Sequence, residues 1–358
     1  MRRLLLALVG LVVLLALTGW LILRRQAQTL GEALVHDAQA LDVRRFELPS
    51  GSPGDVFECV GLQADLSPDI SRTLPWTLPD VMAVTAGTQA MSDAFRAELE
   101  SHRPWLDRTL SCGTLKTVTQ TAGLGAFPDV RHGRRQSMPR LMEALTSLAP
   151  LAMRDALARN APSEALQICS SVLTLTTGWL RLEGLEGMLP TLGASRSVLP
   201  ACADALQAAS DEDVARFRTK ANELRTLAPQ YTEVMALERT QLGLRLFGGW
   251  LPDELDAQLP DAARAITKTQ RETKYERGLK ATLALRLYWR RFDAGMREVE
   301  AASALSPTSR EAAILKAQAN LDAPFLRRFF TADPVDLRYQ MYAVYLDQLH
   351  ATLERLSR

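Results

Sequence analysis

The sequence predicts a mainly α-helical chain, an N-terminal transmembrane helix followed by a bundle or α-solenoid of antiparallel helices. Three observations carry that expectation. Leu4 to Leu23 is an uninterrupted run without a charge. Leu and Ala are abundant while aromatics make up only 6% of the 358 residues, which suits helices better than sheets. From Met138 onward, apolar residues recur at helical spacing between short Pro or Gly breaks.

As a helix, Leu4–Leu23 reaches roughly 30 Å, the thickness of a bilayer's hydrocarbon core. Arg2 and Arg3 precede it, and Arg24 and Arg25 close it. A cleaved signal has a shorter apolar stretch, about 7–15 residues, and a small-x-small site after it. Here only Ala27 is small. Leu17-Thr18-Gly19 approaches the peptide before a lipid-bearing cysteine, but Trp20 follows and has no thiol. Trp also suits the headgroup level. The segment therefore reads as an uncleaved signal-anchor at residues 1–25. The basic residues on its two sides nearly balance. A first span before a long domain is expected to export it, which puts residues 26–358 outside the cytoplasm. Arg outnumbers Lys 36 to 6, a bias associated with GC-rich bacteria. The expected location is thus a bacterial inner membrane, single pass, with a periplasmic or extracellular C-terminal domain.

Residues 26–136 form a mixed segment. Leu30, Leu34 and Leu41 extend the anchor helix at near-helical spacing. "LPSGSPGD" (48–55) then breaks all periodicity. "DVFECVGL" (55–62) reads as a short strand or an apolar loop. Residues 66–80 carry three prolines and read as coil. Helices are expected over Val81–Ser101 and Trp105–Leu110, and residues 121–140 read as loop.

Residues 137–358 are read as helical hairpins. Ser137 is a candidate N-cap with Pro139 near the first turn. Leu141, Leu145, Leu148, Leu151 and Leu157 share a face, and Pro150 should kink that helix. Ser163 is a candidate N-cap for a helix whose stripe is Leu166, Cys169, Val172, Leu173 and Leu180. Leu189–Ala208 follows, interrupted by Pro200. Ser210 with Asp213 three residues on approaches a capping box. That helix stops at Pro229, and the next ends at Gly248-Gly249. Further helices fill 260–303. The last has a stripe of Leu337, Met341, Val344, Tyr345, Leu349 and Leu353.

The four cysteines are Cys59, Cys112, Cys169 and Cys202. None forms C-x-x-C and no His lies at ligand spacing, so a zinc site is not expected. An even count in an exported domain allows two disulfides in three connectivities. The midpoint between Cys169 and Cys202 falls near Gly184–Gly187, where a turn would bring the two level. Cys59 and Cys112 then remain for each other. Four buried free thiols are the alternative.

"RDALARNAPSEALQICSSVL" resembles the helix–turn–helix texture of tetratricopeptide-like repeats: an Ala-rich helix, a short polar turn, then E-A-L opening the next. The resemblance covers residues 138–210, without the Trp, Gly, Tyr and Pro positions of the 34-residue register. The wider layout is similar to bacterial membrane-anchored helical-hairpin proteins, and the resemblance implies no activity.

No nucleophile elbow, zinc-protease helix, P-loop or dinucleotide fingerprint occurs. His36 and His350 sit in polar helical contexts and read as solvated. His102 follows Glu98 and Glu100. Arg131, His132, Arg134, Arg135 and Arg140 cluster before a helix start, whose backbone N–H groups could help hold an anion; a solvated loop is the plainer reading. Lys268, Arg271, Lys274, Arg277 and Lys280 smear around a helix and pair with Glu272 and Glu276. Glu238-Arg239 reads as a surface salt bridge, with inter-helix pairing as the alternative. Net charge is +1, so no global field favours nucleic acid. The chain is therefore expected to be a non-enzymatic, membrane-anchored helical protein. Its exported domain would serve as a protein-binding or envelope-complex scaffold. The alternatives are an envelope hydrolase with dispersed catalytic residues and a lipid or small-ligand binder. No cofactor or metal is expected; the partners are the membrane, through residues 4–23, and a protein.

Overall fold

The computed structural model describes residues 2–42, 45–64, 78–119, 134–183, 185–248, 253–260, 291–302, 305–321 and 335–358, with residues 66, 251, 263, 264 and 267 between them. It is mainly helical. Contacts divide the chain into two units: Met1–Asp42 with Met235–Gln340, and Val43–Val234 with Met341–Arg358.

The first unit is organised on α1, Arg2–Asp42, a single helix that carries the N-terminal apolar run and continues past it as expected. From Val9 to Ile22 its large apolar side chains are exposed, from 51% to 63%. Leu34, Val35 and Ala38, by contrast, are buried. Among the described residues no helix is long and apolar enough to cross a membrane. The apolar side chains described on α1 stop short of the about twenty residues that a span needs. The transmembrane assignment of residues 1–25 is therefore not a structural finding, and it is taken up again below as a proposal.

The second unit opens with a small sheet that the sequence did not announce. β1 (Arg45–Glu47), β2 (Ser52–Asp55) and β3 (Leu115–Thr119) take the order β1-β3-β2, with β1 antiparallel and β2 parallel to β3. Gly51 turns the chain between β1 and β2, where a Cβ would lie 2.5 Å from the Lys116 Cα. The expected strand or loop at 55–62 is instead α2, Val56–Ala64. Asp55 caps it, its carboxylate accepting from the Phe57 and Glu58 amides at 2.9 and 3.0 Å.

Helix α3 is Leu78–Thr85 and α4 is Asp93–Cys112. The two helices expected over 81–110 thus divide elsewhere. Ser92 caps α4 at the Phe95 amide, and the helix continues through Pro104 to Gly113. A long core follows: α5 Arg134–Ala158, α6 Pro162–Glu183, α7 Leu185–Ala208 and α8 Asp211–Leu227. Helix α5 starts three residues before the expected Ser137 cap and runs through Pro150, where a kink was expected; α7 runs uninterrupted through Pro200. α5, α6 and α7 pack on one another, α2, α3 and α4 pack on α5, and α8 packs on α6. The described part of the mixed segment from Arg45 on thus shares its core with the hairpins it precedes, while residues 26–42 belong to the first unit.

Cys169 and Cys202 pair across α6 and α7 with Cα atoms 6.0 Å apart, and Cys59 and Cys112 pair across α2 and α4 at 5.6 Å. These are the two expected pairings.

Helix α9, Tyr231–Phe247, is followed by the short α10, Asp253–Asp256, by α11 at 291–301, by α12, Pro307–Leu321, and by α13, Val335–Ser357. In the first unit α1 packs on α10, and a Cβ on Gly31 would come 2.5 Å from Leu255. Residues 341–357 of α13 belong to the second unit. There the buried residues are Tyr342, Ala343, Tyr345, Leu346, Leu349 and Leu353. Met341 and Val344, expected in the stripe, are exposed.

Candidate functional site: a polar groove on the second unit

An open groove of about 560 Å³ lies between α6 and the first turns of α8. Ser50 of the β1–β2 turn and Gly113 and Thr114 after α4 also line it. The turn reaches the groove because the Ser50 amide and hydroxyl both bond the Glu223 carboxylate, at 3.0 and 2.7 Å. The α4 terminus reaches it because residue 113 is glycine; a Cβ there would sit 2.6 Å from the Ser171 carbonyl of α6. A second recess of about 270 Å³ shares Thr114, Glu164 and Gln167 with the first.

Charges of both signs line the groove, and each is engaged. Glu164 accepts from Arg103 and, at 3.0 and 3.1 Å, from Arg159. Arg159 also reaches Asp155 at 2.9 Å, and Arg103 reaches Asp107 at 3.2 Å. Asp213 accepts from the Ser163 and Ser210 hydroxyls at 2.5 and 2.8 Å. Those two donors hold its carboxyl below the usual carboxylate range. Arg216 bonds Glu212 at 2.9 Å. Lys220 lies 3.7 Å from Glu223. Burial pushes its ammonium pKa down, and Glu223 opposes that.

The hydroxyls are engaged as donors. Ser170 donates to the Gln167 carbonyl at 2.9 Å, Thr114 to the Ser111 carbonyl at 2.7 Å and Thr219 to the Ala215 carbonyl at 3.0 Å. Gln167 is exposed where the two recesses meet. Leu166 and Phe217 are buried beneath. Neither His nor Cys is among the lining residues, and among the described residues no cluster of His, Cys, Asp or Glu is placed to hold a metal.

No family model, no curated protein and no solved structure matches this chain. The reading of the groove therefore rests on its own chemistry.

The residues singled out from sequence lie elsewhere. Arg131 and His132 fall outside the described residues. Arg134 and Arg135 lie in the first turn of α5, with their side chains outside those described, and Arg140 is exposed. Residues 268–280 are likewise outside the described set. His36 is exposed. His350 is not solvated as expected: its Nε2 lies 3.2 Å from the Pro229 carbonyl. His102 lies 2.9 Å from Glu98 within α4. Ser163, expected to cap α6, lies inside its first turn and donates to Asp213 instead.

Arg239 is the largest departure among the charged residues. Expected on the surface, its side chain is only 7% exposed. It pairs with Asp37 of α1, and with Asp293 and Glu300 of α11 at 3.5 Å each. The inter-helix alternative is the one observed. No local signal marks it, because its partners lie far away in sequence. The groove residues, spread over four elements, are equally unmarked; only Ser163 and Asp213 stood out, and for capping.

Proposed function

We infer that the protein is a single-pass, membrane-anchored, non-enzymatic helical protein. Its residues 26–358 work outside the cytoplasm as a binding or scaffold unit of a bacterial envelope. The observation that carries this reading is the continuity of α1. One helix bears exposed apolar residues from Val9 to Ile22 and then buries Leu34, Val35 and Ala38 in a folded core. Exposed apolar surface of that extent costs roughly 25 cal/mol per Å² in water, and a bilayer removes the cost. With Leu4–Leu8 the sequence supplies the length for a span. The two cysteine pairs support an oxidising compartment.

Alkaline carbonate extraction of host membranes, followed by protease treatment of spheroplasts, tests this. The protein should stay in the pellet at full length and be digested from outside. A soluble product starting near Ala27, or protection inside intact spheroplasts, would overturn it.

The small-ligand alternative has its own support in the groove on the second unit, whose volume falls within the range of about 300–1,000 Å³ usual for ligand sites. It is compatible with an anchor and concerns what the exported part holds.

A further inference from the structure

We propose that the groove between α6 and α8 binds a neutral polyhydroxylated chain, a short segment of a glycan. The inference deepens the small-ligand reading and does not depend on the anchor.

The hydrogen-bonding capacity left on the walls decides the class of ligand. A hydroxyl has one donor and two acceptor sites. Five lining hydroxyls, on Ser50, Thr114, Ser163, Ser170 and Thr219, spend their donor on the protein itself. What each retains is acceptor capacity, and the carboxylates of Glu164 and Asp213 add more. Arg216, Lys220 and Gln167 line the same groove and carry donors. The walls therefore suit a ligand whose groups each donate and accept. Every sugar hydroxyl does both from one rotatable group, and several cluster on each ring. An extended peptide backbone divides the two roles between separate N–H and C=O groups.

Charge narrows the class further. The lining acids and bases are equal in number, Glu164 and Asp213 against Arg216 and Lys220, and all four have partners within the protein. An anion would meet Glu164 and Asp213, and a cation would meet Arg216 and Lys220. The lining charges cancel, so their summed field favours neither sign. A neutral ligand leaves every pair intact. Beneath the polar walls, Leu166 and Phe217 give the floor an apolar character that suits the C–H face of a pyranose ring. Gln167 offers both a donor and an acceptor where the two recesses meet, so a chain can continue from one into the other.

The test uses full-length protein in detergent and three neutral probes, the hexamers of N-acetylglucosamine, β-1,4-glucose and α-1,4-glucose, by calorimetric titration. At least one should bind, with an affinity unchanged between low and high salt, because no ion pair forms. Gln167→Leu should weaken binding about tenfold, the loss of one or two hydrogen bonds. Thr219→Trp, at an exposed position, should abolish it by filling the groove. Melting curves matching the parent protein show that both variants fold. Binding that survives both substitutions would overturn the groove as the site. If an oligolysine or oligoglutamate peptide binds, is lost in Thr219→Trp and no saccharide binds, the glycan class is wrong while the small-ligand reading stands. If neither saccharide nor peptide binds, both are wrong.

Discussion

In the second unit α6 is buried around its whole circumference from Ser171 to Arg181, while in the first unit α1 buries a stripe: Gly31, Leu34, Val35 and Ala38. The buried arginines differ in the same way. Arg181 bonds the Leu227 carbonyl at 2.7 Å and Glu233 at 2.9 Å, with the Phe46 ring 3.7 Å beneath it. Arg239 meets three carboxylates, from α1 and α11. A central helix can bury polar residues only if they find partners close by. Thr174 and Thr176 do so by donating back to the carbonyls of Ser170 and Val172 at 2.8 and 2.9 Å. A helix buried along one stripe keeps its polar residues at the edge, where charge can tie it sideways. The second unit is thus held by apolar packing and covalent pairs. In the first, α1 packs an apolar stripe and adds one cation that links it to α11.

Removing the covalent ties should have the largest effect. The cysteine pairs close loops of 53 and 33 residues. The chain-entropy relation gives about 4 kcal/mol for each. Cys59→Ser or Cys169→Ser should lower the denaturation midpoint of the second unit far more in oxidised than in reduced protein, where only the burial of a hydroxyl at Cys169 adds a cost.

Arg239→Met should cost about 2–4 kcal/mol, less than for a fully buried pair because Asp37, Asp293 and Glu300 keep some contact with water. If the comparison holds, hydrogen exchange will rise in α1 and α11 while α6 stays protected. A uniform rise would mean that the units are not separately tied.

Gly113→Val should cost about 1–3 kcal/mol, because its Cβ meets the backbone of α6. The loss should appear in the thermal midpoint.

Ser210→Ala should cost about 1 kcal/mol through the lost cap of α8. It also removes one of the two hydroxyls that hold Asp213 below the usual carboxylate range. A carboxyl lowered in the folded state adds stability above its unfolded pKa of about 4, and that stability is lost as pH falls through the lower folded value. Acid titration of stability should therefore show a smaller loss in Ser210→Ala than in the parent.

What was legible in the sequence was local. Ser210 and Asp213 stand three residues apart, and the cap between them follows at 3.2 Å. A turn was expected near Gly184–Gly187, midway between Cys169 and Cys202, and from it the pairing of those two cysteines follows. The continuation of α1 past the apolar run was likewise visible in Leu30, Leu34 and Leu41. Where position in the core decides, periodicity fails. The stripe read on α6 omits Ser171, Thr174 and Arg181, which are buried because helices surround them. On α13 the stripe is rotated, since Tyr342, Ala343 and Leu346 face the core and Met341 and Val344 do not. At Val56–Ala64 no alternation or stripe was clear, and the Asp55 cap decided for helix. Arg239 and the groove depend on partners fifty or more residues distant in sequence, which no window along the chain contains.

Folding of the second unit outside the cytoplasm, as proposed, requires both of its cysteine pairs to be closed in the host. The most direct measurement is non-reducing peptide mapping of the full-length protein taken from host membranes and alkylated before lysis. Two linked peptides, Cys59 with Cys112 and Cys169 with Cys202, and no alkylated cysteine are expected. Four alkylated cysteines, or Cys59 joined to Cys169 or Cys202, would contradict that proposal.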